Sequence, residues 1–194
     1  MAKWSVQEHL IESYADITLE LFRLGVPQKI GTLVPRVSSE SLDVIPRIGL
    51  QKFRATRVFE DIRQYLDFLF EMKKNSPVIS GDDGGHVNEL RRYVDKILTE
   101  LLSEAATSTL LRCVLVHEDL NDMNILVDKS GRITGIIDWE FQTLQPAVLA
   151  AHYPPWLSYE GCSDPRFANP KETFWLDSVK ESKRLCDLYL QVSK

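Results

Sequence analysis

The chain has 194 residues, of which 44% are hydrophobic and 26% charged, and its formal net charge is −5. A domain of this length buries about 70% of the surface that its unfolded chain exposes, so one substantial core is expected. The mild negative charge excludes a global basic field that would attract nucleic acid or an anionic membrane surface.

The cysteines and the N-terminal stretch indicate in which cellular compartment the protein is expected. Cys113, Cys162 and Cys186 are odd in number, widely spaced and without a C-x-x-C pair, so we interpret them as reduced thiols rather than disulfide or zinc partners. The N-terminal stretch MAKWSVQEHLIESYAD contains acids and no long apolar run, which argues against a secretory signal. No stretch approaches the ~20 apolar residues of a membrane helix. We therefore expect a cytoplasmic protein.

Helical periodicity dominates the first half of the chain. Apolar residues recur at helical spacing from Val6 to Leu24, and Gly25 and Pro27 end the run, which predicts a first amphipathic helix. Residues 26–50 contain three prolines and predict a loop with short extended pieces. The apolar pattern from Val58 to Phe70 predicts a second helix.

A linker and a third helix are expected next. The stretch SGDDGGH (80–86) is typical of a turn-rich linker, and no Lys–Ser/Thr pair follows it, so it is not a phosphate-binding P-loop. Apolar residues at helical spacing from Leu90 to Ala105 predict the third helix.

The periodicity then changes to that of strands. Residues 114–116, 125–127 and 133–137 are short apolar runs, and the polar residues 128–132 between the last two predict a β-hairpin. The proline-rich residues 153–170 predict an irregular loop, and residues 171–192 predict a last amphipathic helix. The fold class that follows is α+β, predominantly helical, with one small β-hairpin.

Four polar residues lie at the edges of this hairpin. Asp119 and Asn124 are five apart on a loop between extended runs, His117 precedes them, and Asp138 follows the second hairpin strand. Because the hairpin folds Asp138 back beside the loop, carboxylate and amide oxygens converge into a site that suits Mg²⁺ with phosphate oxygens. A further carboxylate that accepts a hydroxyl proton would complete a phosphoryl-transfer site. Taken singly, each residue could instead cap a turn, start a strand or be a satisfied core histidine.

The order of these residues carries a resemblance to a known family. The stretch LVHEDLNDMNILVDKSGRITGIIDWE resembles the catalytic core of the aminoglycoside phosphotransferase and choline kinase group, which shares the protein-kinase-like fold. The flanks FRLGVPQKIGTL and LQPAVLAAHYPPWL are similar to a branch of that group common among fungal proteins. The resemblance extends over roughly residues 4–190 and is specific over 115–140.

The resemblance implies a role for each residue. Asp119 would be the catalytic residue that orients and deprotonates the substrate hydroxyl. Asn124 and Asp138 would hold Mg²⁺ and so bind the ATP or GTP phosphates, and His117 would brace the catalytic loop by hydrogen bonds. Glu118 stands where the group often has glycine, which adds charge beside the base.

The same resemblance implies a second lobe with a phosphate loop, a strand lysine and a glutamate partner. The 194 residues contain no G-x-G-x-x-G and no V-A-I-K-like strand before residue 115. The interpretation is therefore one domain, residues 1–194, which corresponds to the C-terminal lobe of the protein-kinase-like fold without its N-terminal nucleotide-binding lobe. An uncovered cleft of this kind would favour self-association through exposed apolar surface.

Two principal functions follow as hypotheses. The first is a kinase that transfers the γ-phosphate of ATP or GTP to a small-molecule hydroxyl, and the second is a catalytically silent binding module with the same fold. A metal-dependent hydrolase is a third, less supported alternative. Tyr153, Trp156 and Tyr159 could line a pocket for a cationic substrate amine through cation–π contact, or pack in the core or a lid.

Overall fold

A computed structural model of the chain describes residues 5–36, 41–48, 55–75, 83–103, 108–120, 122–153 and 179–193. The chain divides into two compact units. Met1–Leu24, His117–Phe141 and Ala151–Lys194 form what we call the motif unit, and Gly25–Val116 and Gln142–Ala150 form the second unit. The four candidate residues of the sequence all lie in the motif unit.

The first helix of the motif unit, α1, spans Val6–Arg23. It begins at a capping box, since the Ser5 side chain accepts from the Glu8 amide at 3.2 Å and the Ser5 amide donates to the Glu8 carboxylate at 2.6 Å. The bond from the Ser5 amide lowers the pKa of the Glu8 carboxyl group, and a hydrogen-bonded ion pair with Arg184 adds to the effect. The helix predicted from periodicity is confirmed at both ends.

The core of the motif unit forms where α1 meets the last helix, α6 (Val179–Val192). We call this core the α1–α6 cluster, and its buried members are Ile11, Tyr14, Ala15, Leu185 and Tyr189. Leu120, Ile125 and Ile133 pack against it from outside the two helices. The loop and hairpin that carry the candidate site therefore rest on a helical core.

The predicted hairpin is confirmed. In the numbering of the strands along the chain, β4 (Ile125–Val127) pairs antiparallel with β5 (Ile133–Ile136). In the turn between them, the Asp128 carboxylate accepts from the backbone amides of Ser130 and Arg132 at 2.8 and 3.1 Å. These bonds, together with the Ser130 hydroxyl, lower the pKa of Asp128.

The second unit is built on two more antiparallel pairs of strands. Strand β1 (Thr32–Pro35) pairs with β2 (Leu42–Ile45), and β3 (Cys113–Val116) pairs with β6 (Thr143–Pro146). Its helices are α2 (Ile62–Lys74), α3 (Asp83–Ser103), α4 (Ser108–Leu111) and α5 (Ala147–Ala150).

The core of the second unit contains Ile30, Ala55, Phe59, Tyr65 and Cys113. Phe59 stacks on Tyr65 with ring centroids 5.4 Å apart. Burial in this core raises the pKa of the Cys113 thiol to about 11, so this cysteine is a packing residue at neutral pH. Cys162 lies outside the described residues.

The observed elements correct the sequence prediction in three places. A single hairpin is wrong, because the described residues form three two-stranded sheets. The second helix begins at Ile62 rather than near Val58, since Asp61 caps it by accepting from the Gln64 amide at 2.9 Å. The predicted linker is wrong over residues 83–86, which are the first turn of α3.

Other predictions fall partly outside the described residues. These are the loop 153–170 beyond Tyr153, with Trp156 and Tyr159, and residues 171–178 of the last helix. The coarse fold class, a mixture of helices with small antiparallel sheets, is confirmed. Among the described helices, none combines the length and apolar character needed to cross a membrane.

The hairpin turn yields a test of the fold. Gly131 has φ +88°, and a Cβ there would collide with the Val6 carbonyl oxygen and lie 2.8 Å from Val6 Cγ1. We expect Gly131→Ala to cost more than the ~1–2 kcal/mol of a left-handed alanine, because the collision adds to the strain. The free energy of unfolding in urea, followed by circular dichroism, measures the loss.

Gly85→Ala is the matched control. Gly85 lies in α3 with nothing within 4 Å of an added Cβ, so alanine there should leave stability unchanged or raise it by up to ~1 kcal/mol. Equal stability of the two variants would contradict the described turn.

Candidate active site

The candidate loop begins where β3 ends. Asp119 donates its backbone amide to the His117 carbonyl at 2.8 Å, and Glu118 between them has φ 62°. A bond between residues two apart around a positive φ is the pattern of the rare, strained form of γ-turn. The group that the chain resembles often has glycine at position 118, and this strain is a physical reason for it. Glycine lacks the Cβ that a left-handed backbone crowds.

His117 is buried, with 1% of its surface exposed. Its Nε2 lies 2.9 Å from the Ile137 carbonyl oxygen, and because a carbonyl can only accept, Nε2 donates. The Trp139 ring meets the imidazole edge-on, with centroids 4.7 Å apart, and the indole nitrogen donates to the Ile136 carbonyl at 3.0 Å. Nδ1 of His117 has no hydrogen-bond partner among the described residues. The imidazole thus ties the loop to the end of β5.

Asn124 connects the loop to the hairpin. It ends a 3₁₀ turn (Asp122–Asn124), and its side chain is buried. Nδ2 donates to the backbone oxygen of Asp119 at 2.8 Å and to its Oδ2 at 3.1 Å. Since both bonds use the amide nitrogen, Oδ1 is the atom of Asn124 that can bind a cation.

Asp138 follows Ile137 at the end of the hairpin. Its side chain is exposed, its φ is 63°, and no described residue donates a hydrogen bond to its carboxylate. Aspartate tolerates the left-handed region better than most residues. The carboxylate is available to a ligand without first breaking a contact with the described part of the chain.

The backbone of Ile137 joins these residues. Its amide donates to the Asn124 carbonyl at 3.0 Å, and its carbonyl accepts from His117 Nε2. The structure therefore brings Asp119 and Asn124 into direct contact and bonds His117 and Asn124 to the residue before Asp138. Sequence reasoning missed this role of Ile137, because a hydrogen-bonding backbone leaves no signal in an apolar side chain.

Electrostatically the site is acidic and partly open. Glu118 and Asp138 are exposed and Asp119 is half-buried. Within the described residues no group of three or more His, Cys, Asp or Glu side chains forms a metal cluster. The donor set is instead one amide oxygen and one carboxylate, hard oxygens that suit Mg²⁺ when phosphates and water complete its shell.

Apolar side chains are exposed along the same loop and hairpin. Met123 is 78% exposed, Leu126 49%, Val127 52% and Ile137 45%. Exposed apolar side chains next to polar side chains are typical of a surface that another molecule or another segment covers.

Comparisons with known proteins place this geometry in context. The model of the APH family, described as a phosphotransferase enzyme family, matches residues 48–149, which include the loop and the hairpin. The chain is also 42% identical over 200 aligned residues to Clavilactone A biosynthesis cluster protein Y of Ampulloclitocybe clavipes. That alignment covers 100% of this chain and 48% of the relative, so the chain spans about half the relative's length. No solved structure matches the chain significantly.

The strained turn provides a prediction for the loop. We expect Glu118→Gly to be more stable than Glu118→Ala by about 1 kcal/mol, because only glycine removes the clash of a Cβ in the left-handed region. Unfolding of both variants in urea measures the difference.

Glu140 provides the matched control, since it is an exposed glutamate nearby whose φ is not positive. There the order should reverse, with alanine more stable than glycine. If alanine equalled glycine at position 118, the described conformation of the loop would be wrong.

Proposed function

The chain belongs to the phosphotransferase enzyme family, and we propose that it transfers the γ-phosphoryl group of ATP or GTP to a hydroxyl group of a small molecule. The observation that supports this proposal most directly is the contact between the Asn124 amide and Asp119. It keeps a proton-accepting carboxylate beside a side chain whose remaining oxygen can bind a cation. A turn-capping aspartate would not need that neighbour.

In the proposed reaction Asp119 acts as the base. The acceptor oxygen forms a bond to the γ-phosphorus, the bond from that phosphorus to the β–γ bridging oxygen breaks, and the nucleoside diphosphate leaves with the electron pair. The hydroxyl proton passes to the Asp119 carboxylate. The bond from Asn124 Nδ2 to Oδ2 restrains the orientation of the carboxylate.

Asn124 and Asp138 would hold Mg²⁺ through Oδ1 and the carboxylate. When bound, the ion would neutralise negative charge on the β- and γ-phosphates. His117 would act as a positioning residue, because its bond to the Ile137 carbonyl holds the backbone next to Asp138. It does not need to touch the nucleotide for this role.

We propose that the chain corresponds to the C-terminal lobe of a protein-kinase-like fold. The helical content and the loop followed by a hairpin support this assignment. The exposed Leu126 and Ile137 offer an apolar face next to the proposed phosphate site, which suits a purine base. The phosphate loop and strand lysine of such enzymes have no counterpart in the 194 residues, so transfer by this chain alone is expected to be slow.

The acceptor is proposed to be a product of biosynthesis rather than a protein. The relative is named for the Clavilactone A biosynthesis cluster, and this supports a small-molecule hydroxyl.

Nucleotide binding gives the first test. We expect Mg²⁺–ATP to raise the melting temperature of the chain, since a ligand stabilises by RT ln(1 + [L]/Kd). Asp138→Asn should weaken nucleotide binding by roughly tenfold or more. Mutating a residue that only hydrogen-bonds to a metal ligand already costs about that much metal affinity, and losing a metal ligand itself costs at least as much. Asp187→Asn on the exposed face of α6 is the control and should bind like the parent. No shift at millimolar nucleotide would refute the proposal.

Transfer gives the second test. Formation of ADP or GDP with a panel of hydroxyl compounds should fall about a hundredfold to ten-thousandfold in Asp119→Asn, while nucleotide binding stays unchanged. The contrast with Asp138→Asn separates chemistry from binding. Nucleotide binding without transfer by the parent chain would instead support a catalytically silent binding module.

A further inference from the structure

The motif unit contains a cavity that the proposed reaction does not use. It lies between α1, α6 and residues 151–153, and its volume is about 330 Å³. We call it the tyrosine pocket, and its principal lining residues are Thr18, Phe22, Tyr153, Tyr189, Leu190 and Ser193. The volume falls within the range of small-molecule sites, which begins near ~300 Å³.

Aromatic rings form the walls of the tyrosine pocket. The Tyr189 ring is buried in the α1–α6 cluster, with its centroid 6.1 Å from that of Tyr14 and 6.0 Å from that of Tyr153. Tyr153 is 42% exposed and Leu190 48%, so the outer wall faces solvent while the inner wall is fixed in the core. A half-exposed ring opposite a buried ring offers a ligand ring both tilted and offset contacts.

The lining of the pocket is apolar or hydroxyl-bearing except for the imidazole of His152. None of the described residues that line it is Asp, Glu, Lys or Arg. Burial raises the pKa of Tyr189, although side-chain hydrogen bonds to Thr18 and Ser193 oppose the shift. The phenol is therefore neutral and does not act as a counter-ion for an amine. A charged ligand would lose hydration here without gaining an Asp, Glu, Lys or Arg partner of opposite charge among the described lining residues.

The hydroxyl groups of the pocket favour a ligand that donates. Thr18 Oγ1 donates to the Tyr14 carbonyl at 2.9 Å, and Ser193 Oγ donates to the Tyr189 carbonyl at 2.7 Å. Each hydroxyl proton is thus in use, and both hydroxyl groups also hydrogen-bond to the Tyr189 side chain, but a hydroxyl oxygen has two acceptor lone pairs and so retains one for a ligand. A hydroxyl group on the ligand could therefore donate a hydrogen bond to Thr18 or Ser193.

We propose that the tyrosine pocket binds a neutral, ring-bearing small molecule with a hydroxyl group. Its ring lies against Tyr153 and Tyr189, and its hydroxyl group donates to Thr18 or Ser193. This differs from the cationic amine expected from the tyrosines of the sequence. The site adjoins the core that supports the candidate loop, because Leu120, next to Asp119, packs on the cluster that contains Tyr189. Binding at this site does not depend on nucleotide, so it can be tested separately from transfer.

Isothermal titration calorimetry at pH 7 with three compounds of matched shape tests the charge preference. Naphthalen-2-ylmethanol is neutral, naphthalen-2-ylmethylammonium is cationic and 2-naphthoate is anionic. We expect the alcohol to bind at least tenfold more tightly than either ion. No binding of the alcohol at its solubility limit, or equal or tighter binding of the ammonium compound, would overturn the proposal.

Variants at Tyr153 locate the binding site. Tyr153→Ala should weaken binding of the alcohol roughly tenfold, and Tyr153→Phe, which keeps the ring, should restore it. Leu190→Gln changes a second, exposed wall residue and should also weaken binding, while circular dichroism confirms that each variant folds. Tyr93→Ala is the control, since Tyr93 is 64% exposed on α3 and does not line the pocket. Tight binding by Tyr153→Ala and Leu190→Gln would show that the ligand lies elsewhere.

Discussion

The geometry of the candidate site depends on two hydrogen bonds of one backbone unit. Ile137 donates to the Asn124 carbonyl and accepts from His117, so the residue before Asp138 is fixed against both ends of the loop. Because His117 and Asn124 are buried, leaving these bonds unmade would be costly, which restrains the backbone at Asp138. Its carboxylate stays exposed because the restraint acts on the main chain of its neighbour. The proposed cation binding and product release would need this combination of a fixed backbone and an accessible side chain.

Support for that restraint comes from segments far away in sequence. Ile125 and Ile133, one on each strand of the hairpin, pack on the α1–α6 cluster, and the Ile133 amide donates to the Ser13 hydroxyl at 3.3 Å. The tight approach of Gly131 to Val6 allows the turn to reach the start of α1. The register of β3 and β6 places Val116 opposite Thr143, which brings together the two ends of the segment that carries the site. Because Ile125 and Ile133 pack on the α1–α6 cluster, removing α1 or α6 would expose the apolar side of the hairpin.

The sequence predicted the parts of this arrangement that depend on local pattern. The helix α1 and the hairpin turn follow from apolar periodicity that ends at Gly25 and Pro27 and from the polar turn 128–132. The extra strand pairs were missed because β1 and β6 each end in proline and β6 is half polar, whereas the equally short strands β3 and β4 are uninterrupted apolar runs. The start of α3 was missed because two consecutive glycines normally indicate a turn, whereas the long periodic segment that follows them here extends the helix. For the site, residue types and order predicted which side chains could act, but not the hydrogen bonds of Ile137 or the positive φ of Glu118 and Asp138.

The same core supports two surfaces of opposite chemical character. Around the loop, Glu118 and Asp138 are exposed acids, and neighbouring charges of one sign favour a bound cation. The described lining of the tyrosine pocket has no carboxylate, ammonium or guanidinium group, and there burial of rings provides the interaction energy. A nucleotide with its magnesium would be unfavourable in the second environment, and a neutral ring would gain little in the first. Tyr189 belongs to the α1–α6 cluster and Leu120 packs on it, so the two surfaces rest on the same core although their chemistry differs.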